Sequence, residues 1–136
     1  MESFQKIITV GEEDLDELQR VNNVRYVQWV QDVAKAHWQK AVPQALQEEV
    51  VWVLIKHTIV YKNPAKIGDQ ILAKTYVKRS EGATSTRVVE LFHKNTLNPV
   101  VHSTTTWVLL NKKTFKPTRI SEAIKVIFHP ETPKTL

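Results

Sequence analysis

The stretch Asp14–Asp32, "DLDELQRVNNVRYVQWVQD", decides how the rest of the chain is read. Acids open it, twin asparagines follow, and apolar and aromatic residues then recur at spacings of three and four. That order is what an α-helix start requires. Asparagine is a preferred N-cap, and acids are favourable beside a positive helix N-terminus. The helix is expected over about Val24–Gln47. Val27, Val30, Ala34, His37 or Trp38, and Ala41 form its apolar face,. Pro43 should break or kink it, because proline lacks the N–H and clashes with the preceding turn,. A further short turn is expected at "QALQEE".

Outward from this helix the chain reads as strands. "FQKIITV" (Phe4–Val10) precedes it and ends at Gly11. "VVWVLIKHTIVYKN" (Val50–Asn63), "QILAKTYVKRS" (Gln70–Ser80), "TRVVELFHKN" and "VVHSTTTWVLLN" follow,. In the second of these, Ile71, Ala73, Thr75 and Val77 alternate against Leu72, Lys74, Tyr76 and Lys78, which is the period of a half-buried strand,. The links "NPAKIGDQ", "EGATS" and "TLNP" carry turn residues,. Short links imply antiparallel sequence neighbours, since a parallel crossover needs a dozen or more residues. A weak helical pattern lies near Ser121–Val126. One long helix against an antiparallel sheet is an α+β architecture. A single helix covers only part of such a sheet, so the sheet must wrap around it or pair its edge with another chain.

The chain has 136 residues, which suits a single domain over 1–136, with a core of about 4–120 and a C-terminal tail at 121–136,. With 42% hydrophobic and 24% charged residues its composition is that of a globular protein,. It contains no cysteine, which excludes disulfides, thiolate nucleophiles and cysteine-bound metals,. No two histidines have metal-ligand spacing, so neither a metal nor a cofactor is expected. The sequence shows no signal peptide and no membrane span, and a cytoplasmic location is the default expectation. The net charge is +5 and the isoelectric point about 9.5. The basic residues are dispersed rather than clustered, which argues against a nucleic-acid partner and suits a small anionic ligand.

Three segments in order resemble the hotdog-fold thioesterases, the broad group that includes 4-hydroxybenzoyl-CoA thioesterase. They are "DELQRVNNVRYVQWV", "YKNPAKIGDQILAKTYV" and "VVHSTTTWVLLNKKTFKPTRI", and the resemblance covers most of the chain, from Phe4 to about Ile120. The segment "VNNVRYVQW" (Val21–Trp29) also resembles the D-x-N-x-H-V-N-N-x-x-Y-x-x-W of acyl-ACP thioesterases. Leu18 and Arg20 stand where that version has asparagine and histidine.

The resemblance implies a hotdog fold, one long central helix wrapped by a curved antiparallel β-sheet. It implies hydrolysis of an acyl thioester, with acyl-CoA or an acyl-carrier thioester as partner. It also implies a homodimer or dimer of dimers with the site between subunits. Residue by residue, it points to Asp16 as the carboxylate that drives attack and to the backbone N–H near Asn23 as the group that polarises the carbonyl. Asn22, Tyr26 and Trp29 become candidate substrate-binding residues. A carboxylate serves as nucleophile or general base, and unpaired N–H groups at a helix start suit an oxyanion. The same residues have plainer roles open to them. Asn22 or Asn23 can cap the helix, Tyr26 and Trp29 can be core aromatics, and an Arg20–Asp16 pair would hold the carboxylate ionised. Lys62, Lys66, Lys78, Arg79 and Arg87 are candidates to meet phosphates. The replacement of the relatives' segment by "ELQR" motivates an alternative, a hotdog protein that binds acyl thioesters without hydrolysing them.

Overall fold

The structure is a computed structural model that describes residues 2–130; the end of the expected tail, 131–136, lies outside the described residues. Strand β1 (Ser3–Thr9) leads through a 3-10 turn (Glu12–Asp14) to the long helix α1 (Asn23–Ala41) and the single turn α2 (Gln44–Gln47). Strands β2 (Val50–Tyr61), β3 (Gln70–Glu81), β4 (Thr84–His93) and β5 (Pro99–Asn111) follow, then helix α3 (Glu122–Phe128). Among the described residues no helix is long and apolar enough to cross a membrane.

All five strands form one antiparallel sheet in the order β1-β3-β4-β5-β2. The tight β3–β4 turn needs Gly82, whose φ of +58° is strained for residues with a side chain,. The β2–β3 link departs from expectation. It is not a hairpin, because β2 pairs with β5 at the far edge of the sheet. Hydrogen bonds draw the link across the end of the sheet instead. Gly68 donates to Val10 O at 3.0 Å, Val10 donates to Asp69 O at 2.9 Å, and Val21 donates to Ala65 O at 2.9 Å. These partners are distant in sequence, which is why link length alone misleads.

Helix α1 lies over β3, β4 and β1. Its buried stripe is Tyr26, Trp29, Val30, Val33, Ala34 and His37, rotated from the expected face so that Val27 and Ala41 are only half-buried. Each fully buried valine in this stripe contributes about 1.5–3 kcal/mol against exposure. The helix ends before Pro43, and the Gln47 side chain donates to the free carbonyls of Gln39 (3.1 Å) and Val42 (2.7 Å),. Ile124 and Phe128 of α3 are buried in a second core cluster with Val42, Val77, Leu109 and Ile120. The first part of the expected tail therefore belongs to the core.

Strand β2 leaves one edge unpaired among the described residues. Val53, Ile55, Val60 and Tyr61 are exposed along it, Ile55 by 58% at a register shift that forms a bulge. An exposed, apolar edge strand is a ready template for pairing with another chain.

Candidate active site at the start of the long helix

The segment between Asp14 and Asn22 folds into a small closed loop. Leu15 and Val21 bridge its base, and Asp16 N–H donates to Arg20 O at 2.7 Å. Asp16 Oδ1 accepts from Leu18 N–H (2.8 Å) and Arg20 N–H (3.2 Å). Gln19 takes a φ of +64°, the left-handed conformation a four-residue "ELQR" loop needs to close,. Arg20 thus meets Asp16 through its backbone, and no ion pair joins the two side chains among the described residues. Asp16 is half-buried, and its Oδ2 has no hydrogen-bond partner among them.

Asn22 is the N-cap of α1; its side chain accepts from Val24 N–H at 3.0 Å. Arg25 N–H bonds to Asn22 O at 2.8 Å. The Asn23 N–H, first in the helix, has no partner among the described residues and sits at the positive end of the helix dipole,.

Asp14 holds this arrangement in place. It is buried, and it accepts from Gly11 N–H (2.8 Å) and from Arg25 Nε (2.7 Å), while its carbonyl accepts from Asn22 N–H (2.8 Å). One side chain therefore fixes the loop to the first turn of the helix. Tyr26 fixes the other wall. Its hydroxyl accepts the Ala65 N–H at 3.1 Å, and burial pushes the phenol above its ordinary pKa,. Asn63 Nδ2 donates to Pro99 O at 2.6 Å, tying the end of the wall to β5.

The result is a cleft of about 390 Å³ lined by Asp16, Arg20, Asn22, Asn23, Tyr26 and the run Tyr61–Pro64. The structure brings together Asp16, Asn22, Asn23 and Tyr26. Trp29 lies outside the cleft, buried in the core, with its ring edge-on to Tyr26 at 5.7 Å. Lys62 and Arg20 are exposed and line the cleft. Arg87, one of the candidates to meet phosphates, does not line this cleft and is buried at 6% exposure. Among the described residues no cluster of histidine and acid side chains could hold a metal ion. The wall Tyr61–Pro64 and the role of Asp14 were not expected; both depend on contacts far apart in sequence.

The antiparallel sheet with its one long helix defines a hotdog fold. The family model of the acyl-ACP thioesterase N-terminal domain matches residues 2–128, and the chain belongs to that family. A sequence search of curated proteins gave no match. Among solved structures, the chain resembles a 1,4-dihydroxy-2-naphthoyl-CoA thioesterase from Synechocystis (TM-score 0.83, 14% identity, 97% of this chain and 100% of that one). It resembles a predicted thioesterase from Bacillus stearothermophilus at TM-score 0.83 and 18% identity, over 98% of this chain and 99% of the other. It also matches a 12:0-ACP thioesterase from Umbellularia californica (TM-score 0.80, 12% identity) over 98% of this chain and 52% of that one. At these identities the likeness carries the fold.

Proposed function

We propose that this protein is a thioesterase that hydrolyses an acyl thioester, with acyl-CoA as its substrate, in the cleft at the N-terminus of α1. The observation that carries this reading is the shared cleft: Asp16, and Asn23, whose N–H has no partner among the described residues, line the same space. Asp16 Oδ2 takes a proton from water as the water oxygen attacks the carbonyl carbon. The carbonyl oxygen gains charge and is stabilised by the Asn23 N–H and the helix dipole. The C–S bond then breaks and the thiolate leaves with the proton. Oδ1, held by two backbone N–H groups, fixes the carboxylate's orientation. Arg20 and Lys62 at the cleft suit the phosphates of CoA, or the acidic surface of a carrier protein,.

Family membership supports the reaction class, and the test concerns the carrier. Thiol release is measured over matched acyl-CoA and acyl-carrier thioesters, beside binding titrations of the same compounds. Turnover of CoA esters supports the proposal; turnover of carrier esters alone replaces the substrate. The second reading is a binder without turnover. It is favoured by the use of Asp16 Oδ1 as a loop cap, which gives that residue a structural reason to exist. Binding across the panel with no thiol released would establish it.

The exposed apolar β2 edge supports a homodimer in which two copies pair along this strand,. The cleft wall begins at the end of β2, so such pairing brings the cleft to the subunit boundary. Val60→Lys is expected to shift sedimentation toward the monomer and lower activity together; an unchanged sedimentation coefficient counts against this pairing.

A further inference from the structure

A second cavity, of about 760 Å³, lies beside the C-terminal half of α1, and it shares no lining residue with the Asp16 cleft. Arg87 and Ser85 of β4 and Trp107 of β5 contribute from the sheet, Trp38 from α1, Trp52 from β2 and Phe128 from α3. Arg87 is the anomaly. Its Nη1 donates to His37 Nδ1 (2.9 Å) and Thr75 Oγ1 (3.0 Å), both neutral acceptors, and its guanidinium carbon sits 5.7 Å from the Phe128 ring centre. Among the described residues no carboxylate lies within 4.0 Å of it. Arginine is almost never fully buried without a counter-charge, because the desolvation cost is several kcal/mol.

The cavity around it is also electropositive. Among the described residues Lys35 and Lys112 line it with Arg87, against one acid, Asp32, whose Oδ1 already accepts from Gln28 Nε2 at 2.8 Å. Among the described residues two more buried polar atoms on the same face of the sheet lack partners, His57 Nε2 and Ser103 Oγ, although neither residue lines the cavity. His57 stands opposite Thr105, which stands opposite Arg87, so these residues form one cross-strand row,. A site designed only for an aliphatic chain gains nothing from a buried cation. A flat apolar body among the tryptophans, ending in a carboxylate, uses what lines the cavity: a charged fork for the oxygens and aromatic walls for the body,.

We propose that Arg87 is the anchor of a binding site for an organic carboxylate with a flat apolar body, seated in the cavity between α1, β4, β5 and α3. Two sources share that chemistry: a second carboxylate on the acyl group of a thioester substrate, and a free organic acid. The site stands on its own geometry, and its test needs no hydrolysis, so its failure is distinct from failure of the thioesterase reading.

The test is a titration of the full chain with benzoate and with its neutral isostere benzamide, read by calorimetry and tryptophan fluorescence. Three of the four tryptophans line the cavity, which makes the fluorescence readout local. Benzoate is expected to bind at least about tenfold more tightly than benzamide, the ratio expected for a charge-assisted hydrogen bond. Arg87→Gln should bring the two ligands to within about twofold of each other. Should that variant fail to fold, the comparison on the unmodified chain decides alone. Equal binding of benzoate and benzamide, or no response to either at about 10 mM, overturns the proposal. Preference for benzoate that persists undiminished in folded Arg87→Gln overturns it too. Given benzoate binding, competition with thioester hydrolysis assigns the site to the acyl group, and binding without competition assigns it to a free acid.

Discussion

His37 gives the fold a definite acid sensitivity. It is buried at 1% exposure on α1, and burial together with the adjacent Arg87 lowers its pKa to about 4 from 6.5,. Its Nδ1 accepts from Arg87, so a proton there would both break that bond and set two cations side by side. The folded state therefore resists protonation, while the unfolded chain takes the proton as pH falls below about 6.5. Stability from this residue is fully present above about pH 6.5 and is lost between there and about pH 4. A displacement of that size corresponds to about 3 kcal/mol in total, most of which is gone by about pH 4.5. His57, whose pKa burial also lowers, acts in the same direction,.

The perturbation is His37→Asn, which keeps an acceptor near the Nδ1 position and does not titrate. Urea unfolding followed by circular dichroism at about pH 7 and about pH 4.5 measures both proteins. The unmodified chain should lose about 2–3 kcal/mol more than the variant, a difference of about 1–2 M in urea midpoint shift. The other ionisable groups are common to both proteins, so the comparison isolates position 37 and its contacts. Parallel losses in the two proteins would refute the reasoning, because they would mean that His37 is protonated as readily in the fold as outside it.

Asp14→Ala removes two charge-assisted bonds at the base of the Asp16 loop and should destabilise the fold by about 3 kcal/mol, read as a lower urea midpoint,. An effect under about 0.5 kcal/mol would show that the loop is held by other contacts. Tyr26→Phe leaves the buried Ala65 N–H without its acceptor and should cost about 1–2 kcal/mol,. Hydrogen exchange at Ala65 should quicken in that variant; unchanged protection there would mean that the hydroxyl is not its partner.

The helix start, its asparagine cap and the antiparallel strands were legible because each depends on residues close in sequence. Asn22 caps α1 by reaching two residues ahead. Ile71, Ala73, Thr75 and Val77 alternate inward as their period requires. What depended on distant pairing was not legible. The β2–β3 link crosses the sheet because Val10 and Val21 bond to it, and nothing in "NPAKIGDQ" announces those partners. Tyr26 and Trp29 carried two readings at once. The structure makes both of them buried aromatics, and it also sets Tyr26 in the cleft wall. Arg87 did leave a signal. It occupies the inward position in the alternation of Ser85, Val89 and Leu91, where a charged residue has no place without a partner,.

The role of Asp16 is tested most directly by Asp16→Asn. The amide keeps an oxygen to accept from the Leu18 and Arg20 N–H groups, so the loop keeps its shape while the base is removed,. Measured by thiol release on an acyl-CoA that the unmodified chain turns over, kcat should fall by about 10²–10⁴, with the urea midpoint unchanged. Hydrolysis at the unmodified rate by a folded Asp16→Asn protein would contradict the mechanism proposed for the cleft.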